Sequence, residues 1–544
     1  MCAAGSKPGD RRTGRTRHPV ARRHDGRLDD RRNRAHRRSR LLQEGDVLVQ
    51  NDPYSGNNHL PDFLLAAPVF VDDLLIGFSA VRGHWVDVGG TAPTSYAIDA
   101  GHIIKEGLRV PPGKLYAAGE RNDALYETIL ANVRGRDERA GDMNAQLAGV
   151  RRGRKRLTEI AETHGVEATI AAMDQILANE ESRMRSRIAD LPDGKYAAED
   201  YMDGDGVTDR QLPIRATLTV ESDELTVDFA GTADRVEGGI NTSMSCTKTA
   251  TYYAFKVTLD PGAPGTTGAF RPIDVVAPSG CLVDAKYPAP VVAGNHETTY
   301  RIYDVVVRAI AEIDPELAFG AGEGSTNVLN YQAVDDESLN YTVMAGGMGA
   351  LPDRDGIDAI RNGVGNTGLQ PIERIEQDYE YVTVESLTIA EDTGGPGRYR
   401  GGCAARRVLR FDRETEIILA AERDTTQPYG LDGGRPGAAA EYRHVDVDGV
   451  ERLIPSKTTL TVRPGEKIVI QPAGGGGFGD PTERDADAVL ADVLDGYVDA
   501  DTAREAYGVV VDPDAKTVEA IAAEHEDAET PDGRRETAGS SGDE

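Results

Sequence analysis

The apolar residues of this chain change their spacing three times, so no single repeating architecture can accommodate it. From Gly45 the segments "DVLVQNDPY" and "PDFLLAAPVFVDDLLIGFSAVRGHWVDVGG" are short apolar runs of strand length separated by turn residues, with Asp72-Asp73 where a hairpin turn belongs. Between about 119 and 192 the apolar residues recur every three or four positions, which predicts helices with a glycine stop after His164. Strict alternation then returns in "RATLTVESDELTVDFAG", where Ala216, Leu218 and Val220 and then Leu225, Val227 and Phe229 predict a half-buried hairpin. Thr298 to Ile313 reads as a largely buried helix, and short strands dominate from Asp378 to Gln471. No internal repeat is present. The expected class is α+β: a large mixed α/β domain with several β-sheets, a helical segment at about 119–192 and a β-rich C-terminal half.

Composition narrows the function classes. Of 544 residues, 39% are apolar, 28% charged and 6% aromatic, which excludes a membrane protein and wholesale disorder. No apolar run approaches the ~18 to 20 residues of a bilayer crossing. The start has no apolar signal-peptide centre, so a cytoplasmic location is expected. Cys2, Cys246, Cys281 and Cys403 are too scattered for a disulfide framework or a thiolate zinc site. Charge divides the chain unevenly. Residues 1–42 hold 14 Lys plus Arg against 4 Asp, or +10, so the rest carries −30 − 10 = −40. An acidic body with only 11 lysines reads as adaptation to high salt, and it would repel a nucleic-acid backbone. The expected layout is an anomalous basic segment at 1–42, disordered or mis-translated; a catalytic domain at 43–483; a helical extension at 484–510; and an acidic disordered tail at 511–544. The basic segment has a second reading, as a nucleic-acid-binding arm.

Polar and special-backbone residues are densest in "NDPYSGNNHLPD", Asn51 to Asp62, and "RGHWVDVGG", Arg82 to Gly90. Each holds a His-x-x-Asp step, His59 with Asp62 and His84 with Asp87. Imidazole plus carboxylate suits Mn, Fe or Zn. Ten histidines and 91 acids in 544 residues predict 10 × 91/544, about 1.7, His-x-x-acid matches by chance, against three observed, the third being His164 with Glu167. Spacing alone therefore leaves two readings, a shared cation site or hydrogen-bonded turn residues. "GVGNTG", Gly363 to Gly368, matches G-x-G-x-x-G but follows no strand. "PAGGGGFGDP", Pro472 to Pro481, follows a strand but lacks the Lys-Ser/Thr of a P-loop; it is a close backbone approach to a ligand or neighbouring subunit, or a tight turn. Cys246 reads as core filler or, with Lys248 nearby, as a nucleophile.

Taken in order, "GDVLVQNDPYSGNNHLPDFLLAAPVF", "GFSAVRGHWVDVGG", "IIKEGLRVPPGKLY", "YPAPVVAGNHETTYRI", "YRGGCAARR" and "GGGGFGDP" resemble the hydantoinase B / oxoprolinase family over about residues 43 to 510. The resemblance implies a subunit that acts with a hydantoinase A-type ATP-binding partner to open cyclic amides such as hydantoins or 5-oxoproline. Related pairs carboxylate ketones, and a third implied reading is a non-catalytic scaffold for the ATP-splitting partner. It also implies a divalent metal (Mn, Zn or Fe) on His59, Asp62 and His84, catalytic roles for Asp87 and Asp52, and ATP supplied through the partner subunit. The family's usual H-L-G-S-M run ahead of Gly45 is not seen in this sequence.

Overall fold

The structure is a computed structural model that describes residues 42–521 apart from 337, 362–364 and 366–368. Nearly all of the basic segment, most of "GVGNTG" and the tail beyond 521 lie outside the described residues. The class is α+β as expected.

The first sheet joins β1 (Val47–Gln50), β2 (Asp62–Val71), β3 (Leu74–His84), β4 (Gly113–Ala117) and β5 (Glu120–Arg121) in the order β3-β2-β1-β4-β5. Asp72 and Asp73 both have positive φ, 48° and 62°, the geometry of a two-residue hairpin turn with the right-handed twist of its strands. The helical segment resolves into α1 (Asp123–Ala131), α2 (Arg136–His164) and α3 (Val166–Ala189), with Gly165 at φ 87° breaking the last two apart. Helix α2 lies on the β2–β3 hairpin, where Gln146 accepts from Trp85 Nε1 at 2.9 Å and donates to the Phe63 carbonyl at 2.7 Å.

A second sheet holds β6 (Gly194–Asp203), β7 (Gln211–Glu221), β8 (Glu224–Asp228) and, after α4 (Met244–Leu259), β9 (Ile273–Val276), which runs parallel to β8. The alternating residues of β7 and β8 named above are all buried, together with faces of α4 and of α5 (Thr299–Ala311). Two further antiparallel sheets form the C-terminal half. One is β11-β10-β14-β17, from β10 (Val328–Ala333), β11 (Asn340–Val343), β14 (Thr415–Ala420) and β17 (Lys457–Val462). The other is β12-β13-β18-β15-β16, from β12 (Val382–Ile389), β13 (Ala405–Phe411), β15 (Glu441–Val445), β16 (Glu451–Leu453) and β18 (Lys467–Gln471), with α6 (Ile372–Asp378) beside β12. The C-terminal extension is α7 (Ala486–Asp495) and α8 (Ala500–Tyr507).

Two expectations are corrected. The acidic tail was expected to be unstructured from 511, but β19 (Val509–Asp512) and β20 (Thr517–Ile521) form a hairpin because Val509, Val511 and Val518 cover the apolar faces of α7 and α8. The run Gly474–Gly477 is neither a turn nor a ligand cradle. A Cβ on any of these four glycines would collide with main-chain oxygens of Thr393, Met348, Tyr429 or Pro396, so they serve a close approach of this chain to itself. Hydrogen bonds from Gly475 to Gly402 (2.9 Å), Gly476 to Ala321 (2.7 Å) and Gly477 to Arg435 (2.9 Å) bind that bundle of extended segments.

Candidate metal centre and its cavity

The loop from Asn51 to Asp62 is shaped by its own side chains. Asn51 donates to the carbonyls of Leu60 (2.7 Å) and Leu108 (2.8 Å) and accepts from the Val110 amide (2.6 Å). Asp52 caps the turn Pro53–Ser55 by accepting from the Tyr54 amide, and Gly56 at φ 100° reverses the chain. His59 then points inward, with Nδ1 on the Val292 carbonyl at 2.8 Å and Nε2 free to face the cavity.

Strand register completes the cluster. At the turn the hairpin pairs Val71 with Leu74 and Phe70 with Leu75; a bulge then inserts Ile76, so that Val69 meets Gly77 and Asp62 meets His84. Without that extra residue Asp62 would oppose Gly83, and His84 would fall on the other side of the sheet. As built, His59 Nε2 lies 3.1 Å from His84 Nδ1, and each of those nitrogens lies 3.4 Å from Asp62 Oδ1. The three residues can each offer one ligand atom within 4.8 Å of the others. Donors around a divalent ion held at roughly 2.0 to 2.2 Å stand about 3 to 3.5 Å apart, so this donor set fits such an ion in both chemistry and spacing. Asn58 Nδ2 donates to Asp62 Oδ2 at 3.0 Å and Asn295 Nδ2 stands 3.3 Å from His59 Nε2.

Electrostatics shift two of the three residues. Burial opposes ionisation of Asp62, but the two imidazoles, His59 foremost, more than offset it and hold its carboxyl well below the usual range. His84 opens onto the cavity, yet the recess and the nearby His59 keep its pKa below the ordinary imidazole value despite Asp62. Both shifts leave an anionic carboxylate and a neutral imidazole at neutral pH.

The cluster lines a cavity of about 590 Å3 whose other walls come from distant parts of the chain. His296 and Tyr300 come from the π-turn Gly294–Thr298 and the start of α5, Tyr341 from β11, and Thr326, Arg361 and Gln370 from loops. His296 lies with Nδ1 2.8 Å from Glu297 Oε1 and Nε2 3.1 Å from the Tyr96 hydroxyl; burial lowers its pKa.

Two expected catalytic carboxylates are elsewhere. Asp87 is buried and accepts from the Arg134 guanidinium (2.9 Å) and from the amides of Gly89 (2.7 Å) and Arg134 (3.0 Å), so its oxygens tie a loop to the segment before α2. Asp52 is spent on the Tyr54 amide and the Ser55 hydroxyl, both at 3.1 Å. Neither lines the cavity. Burial pushes the Cys246 thiol up, which fits core filler rather than a nucleophile, and His164 is exposed at the end of α2.

Glu106, unremarked except within "EGLRVPP", proves central. It is fully buried, and one oxygen accepts from the amides of Val291 (2.6 Å) and Val292 (2.9 Å), the residue whose carbonyl holds His59. Burial raises its pKa to about 8. An isolated glutamate in a motif carries no spacing signal that could have revealed this link.

Among the described residues no helix is long and apolar enough to cross a membrane. The family description Hydantoinase B/oxoprolinase matches residues 21–481. An uncharacterised protein of Methanocaldococcus jannaschii is 34% identical over 470 residues, 86% of this chain and 82% of its own length. The caprolactamase subunit beta of Pseudomonas jessenii is 31% identical over 501 residues, 89% of this chain and 85% of its own. The crystal structure of the ATP-dependent caprolactamase from that organism superimposes with a TM-score of 0.82 at 29% identity, covering 90% of this chain and 86% of that one.

Proposed function

The chain belongs to the hydantoinase B/oxoprolinase family, and from that premise we propose that it is the ring-opening subunit of an ATP-dependent cyclic amide hydrolase. The observation that carries this reading is the convergence of His59, Asp62 and His84 in the lining of a cavity of about 590 Å3, ample for a small heterocycle. A divalent ion on these three residues would supply a Lewis acid and a more acidic bound water.

The chain's own side chains account for the rest. The Val292 carbonyl accepts Nδ1–H of His59 and so presents Nε2 to the cavity as a lone-pair donor. His296, kept neutral by burial and oriented by Glu297, replaces Asp87 and Asp52 as the group that accepts a proton from attacking water at Nε2, with the Tyr96 hydroxyl beside it. An amide carbonyl is a poor electrophile until its oxygen is made a leaving group. Phosphorylation by an ATP-binding partner of the hydantoinase A type would do that, and the glycine run of this chain is packed against its own backbone instead of cradling a phosphate. The test is metal analysis and turnover of the chain co-expressed with its ATP-binding partner, comparing wild type with the double variant His59→Ala, His84→Ala. Loss of bound metal together with ring opening is expected; equal metal content in both would remove the centre.

A further inference from the structure

One wall of the cavity presents a guanidinium that no carboxylate contacts. Arg361 is 7% exposed, and its Nη2 donates only to neutral oxygens, Tyr300 Oη at 3.2 Å and Thr326 Oγ1 at 3.0 Å. Among the described residues no carboxylate lies within ion-pair distance of it; the buried Glu323, which acts on it electrostatically, spends one oxygen on the Gly346 amide and the Asn327 side chain, and burial raises its pKa. The buried arginines Arg139, Arg301, Arg400, Arg423 and Arg484 each meet an acid; Arg407 does not, but it lies outside the cavity lining. A desolvated guanidinium without a counter-ion is costly unless something anionic visits it. Local packing is arranged to keep it there. A Cβ on Gly365 would collide with Arg361 Nη2, and Gly365 accepts from the Tyr300 hydroxyl at 3.2 Å, holding the ring against the guanidinium.

Resting on the reading of this cavity as a ring-opening site, we propose that Arg361, with Thr326, binds a carboxylate carried by the cyclic amide, so that the subunit selects an anionic lactam over a neutral one. The planar guanidinium matches a carboxylate, and the Thr326 hydroxyl, which accepts from Nη2, keeps its own proton for the bound anion, while Tyr300, its proton given to the Gly365 carbonyl, positions the guanidinium. A substrate phosphoryl group fits less well: it brings close to two negative charges, and Arg361 is the one Lys or Arg among the described residues that line the cavity. The amide end of a bound ring would then face His59, His84 and His296, which line the same cavity.

Binding can be read without turnover or partner, by calorimetric titration of the full chain with 5-oxoproline, with 2-pyrrolidinone, which is the same ring without its carboxylate, and with inorganic phosphate. At least tenfold tighter binding of 5-oxoproline than of 2-pyrrolidinone is expected. Arg361→Met should erase that difference while Arg361→Lys recovers part of it, and thermal melting of both variants reports whether they fold. Thr326→Val, which keeps the shape and removes one flanking hydroxyl, should narrow the difference. Equal affinity of wild type for the two rings, no binding of either, an unchanged preference in a folded Arg361→Met, or displacement of 5-oxoproline by an equal concentration of phosphate would each overturn the proposal. Failure of the metal test with the selectivity intact would instead sink the hydrolytic reading.

Discussion

Two clusters of buried charge lie at or beside α5, and they differ in whether each charge meets an opposite one. In one, Arg301, Arg423 and Lys457 meet Asp200, Asp304 and Glu422: Arg301 to Glu422 at 3.3 Å, Arg423 to Asp200 at 3.1 Å and to Asp304 at 2.6 Å, and Lys457 to Glu422 at 2.5 Å. Three cations face three acids, and none of the six lines the cavity of the histidine cluster. This network locks β6, α5 and the end of β14 together. In the other, His59, Asp62 and His84 have ligand atoms directed at one another and at open space, with Arg361 lining the same cavity. Pairing of charge with charge makes a structural clamp, whereas unspent ligand atoms beside a cavity leave capacity for a ligand.

The contrast can be broken most forcefully at the clamp. Arg423→Met should cost about 3 to 5 kcal/mol in denaturant unfolding, because it strands the buried Asp304 and leaves Asp200 with Arg301 alone at 3.5 Å. A cost under about 1 kcal/mol would mean that the network is not a clamp. At the open cluster the signature should invert. His84→Asn is expected to lower ring-opening turnover of the assembled complex about a hundredfold or more, ~3 kcal/mol of barrier, while leaving the unfolding midpoint nearly unchanged. A variant that unfolds but keeps its turnover would reverse the assignment.

Glu106 sharpens the comparison from behind the site. Glu106→Ala leaves the amides of Val291 and Val292 without their acceptor and should cost about 1 to 3 kcal/mol, with weaker metal retention; Glu106→Gln should recover most of it. Because the folded state holds the Glu106 proton up to about pH 8, against about 4.5 when unfolded, wild-type stability should fall as pH rises between those values. In Glu106→Gln that part of the slope should vanish in melts across the range. The smallest effect is expected from His84, whose pKa is lowered on folding: below pH 6.5 the unfolded chain binds the extra proton first, so stability should decline on acidification, and less so in His84→Asn.

Much of the fold was readable because periodicity reports burial directly. The β7–β8 hairpin, the break at Gly165 and the Asp72-Asp73 turn are local consequences of side-chain spacing and backbone freedom. The pairing of His59 with His84 was readable only as a possibility, since chance supplies similar spacings; the deciding feature is a one-residue bulge at Ile76 that no periodicity marks. The family resemblance implied catalytic roles for Asp87 and Asp52, yet partners 47 and two residues away consume their oxygens. Arg361 and Glu106 had no signal of their own. One matters because it lacks an acid, the other because it holds two distant amides.

The sequence by itself determined the class of fold, the family and the strand and helix segments, because those follow from short-range patterns of apolar and turn-forming residues. Tertiary structure alone decided which polar groups are spent and which remain available, because that depends on partners brought together from sequence separations of 25 to more than 200 residues.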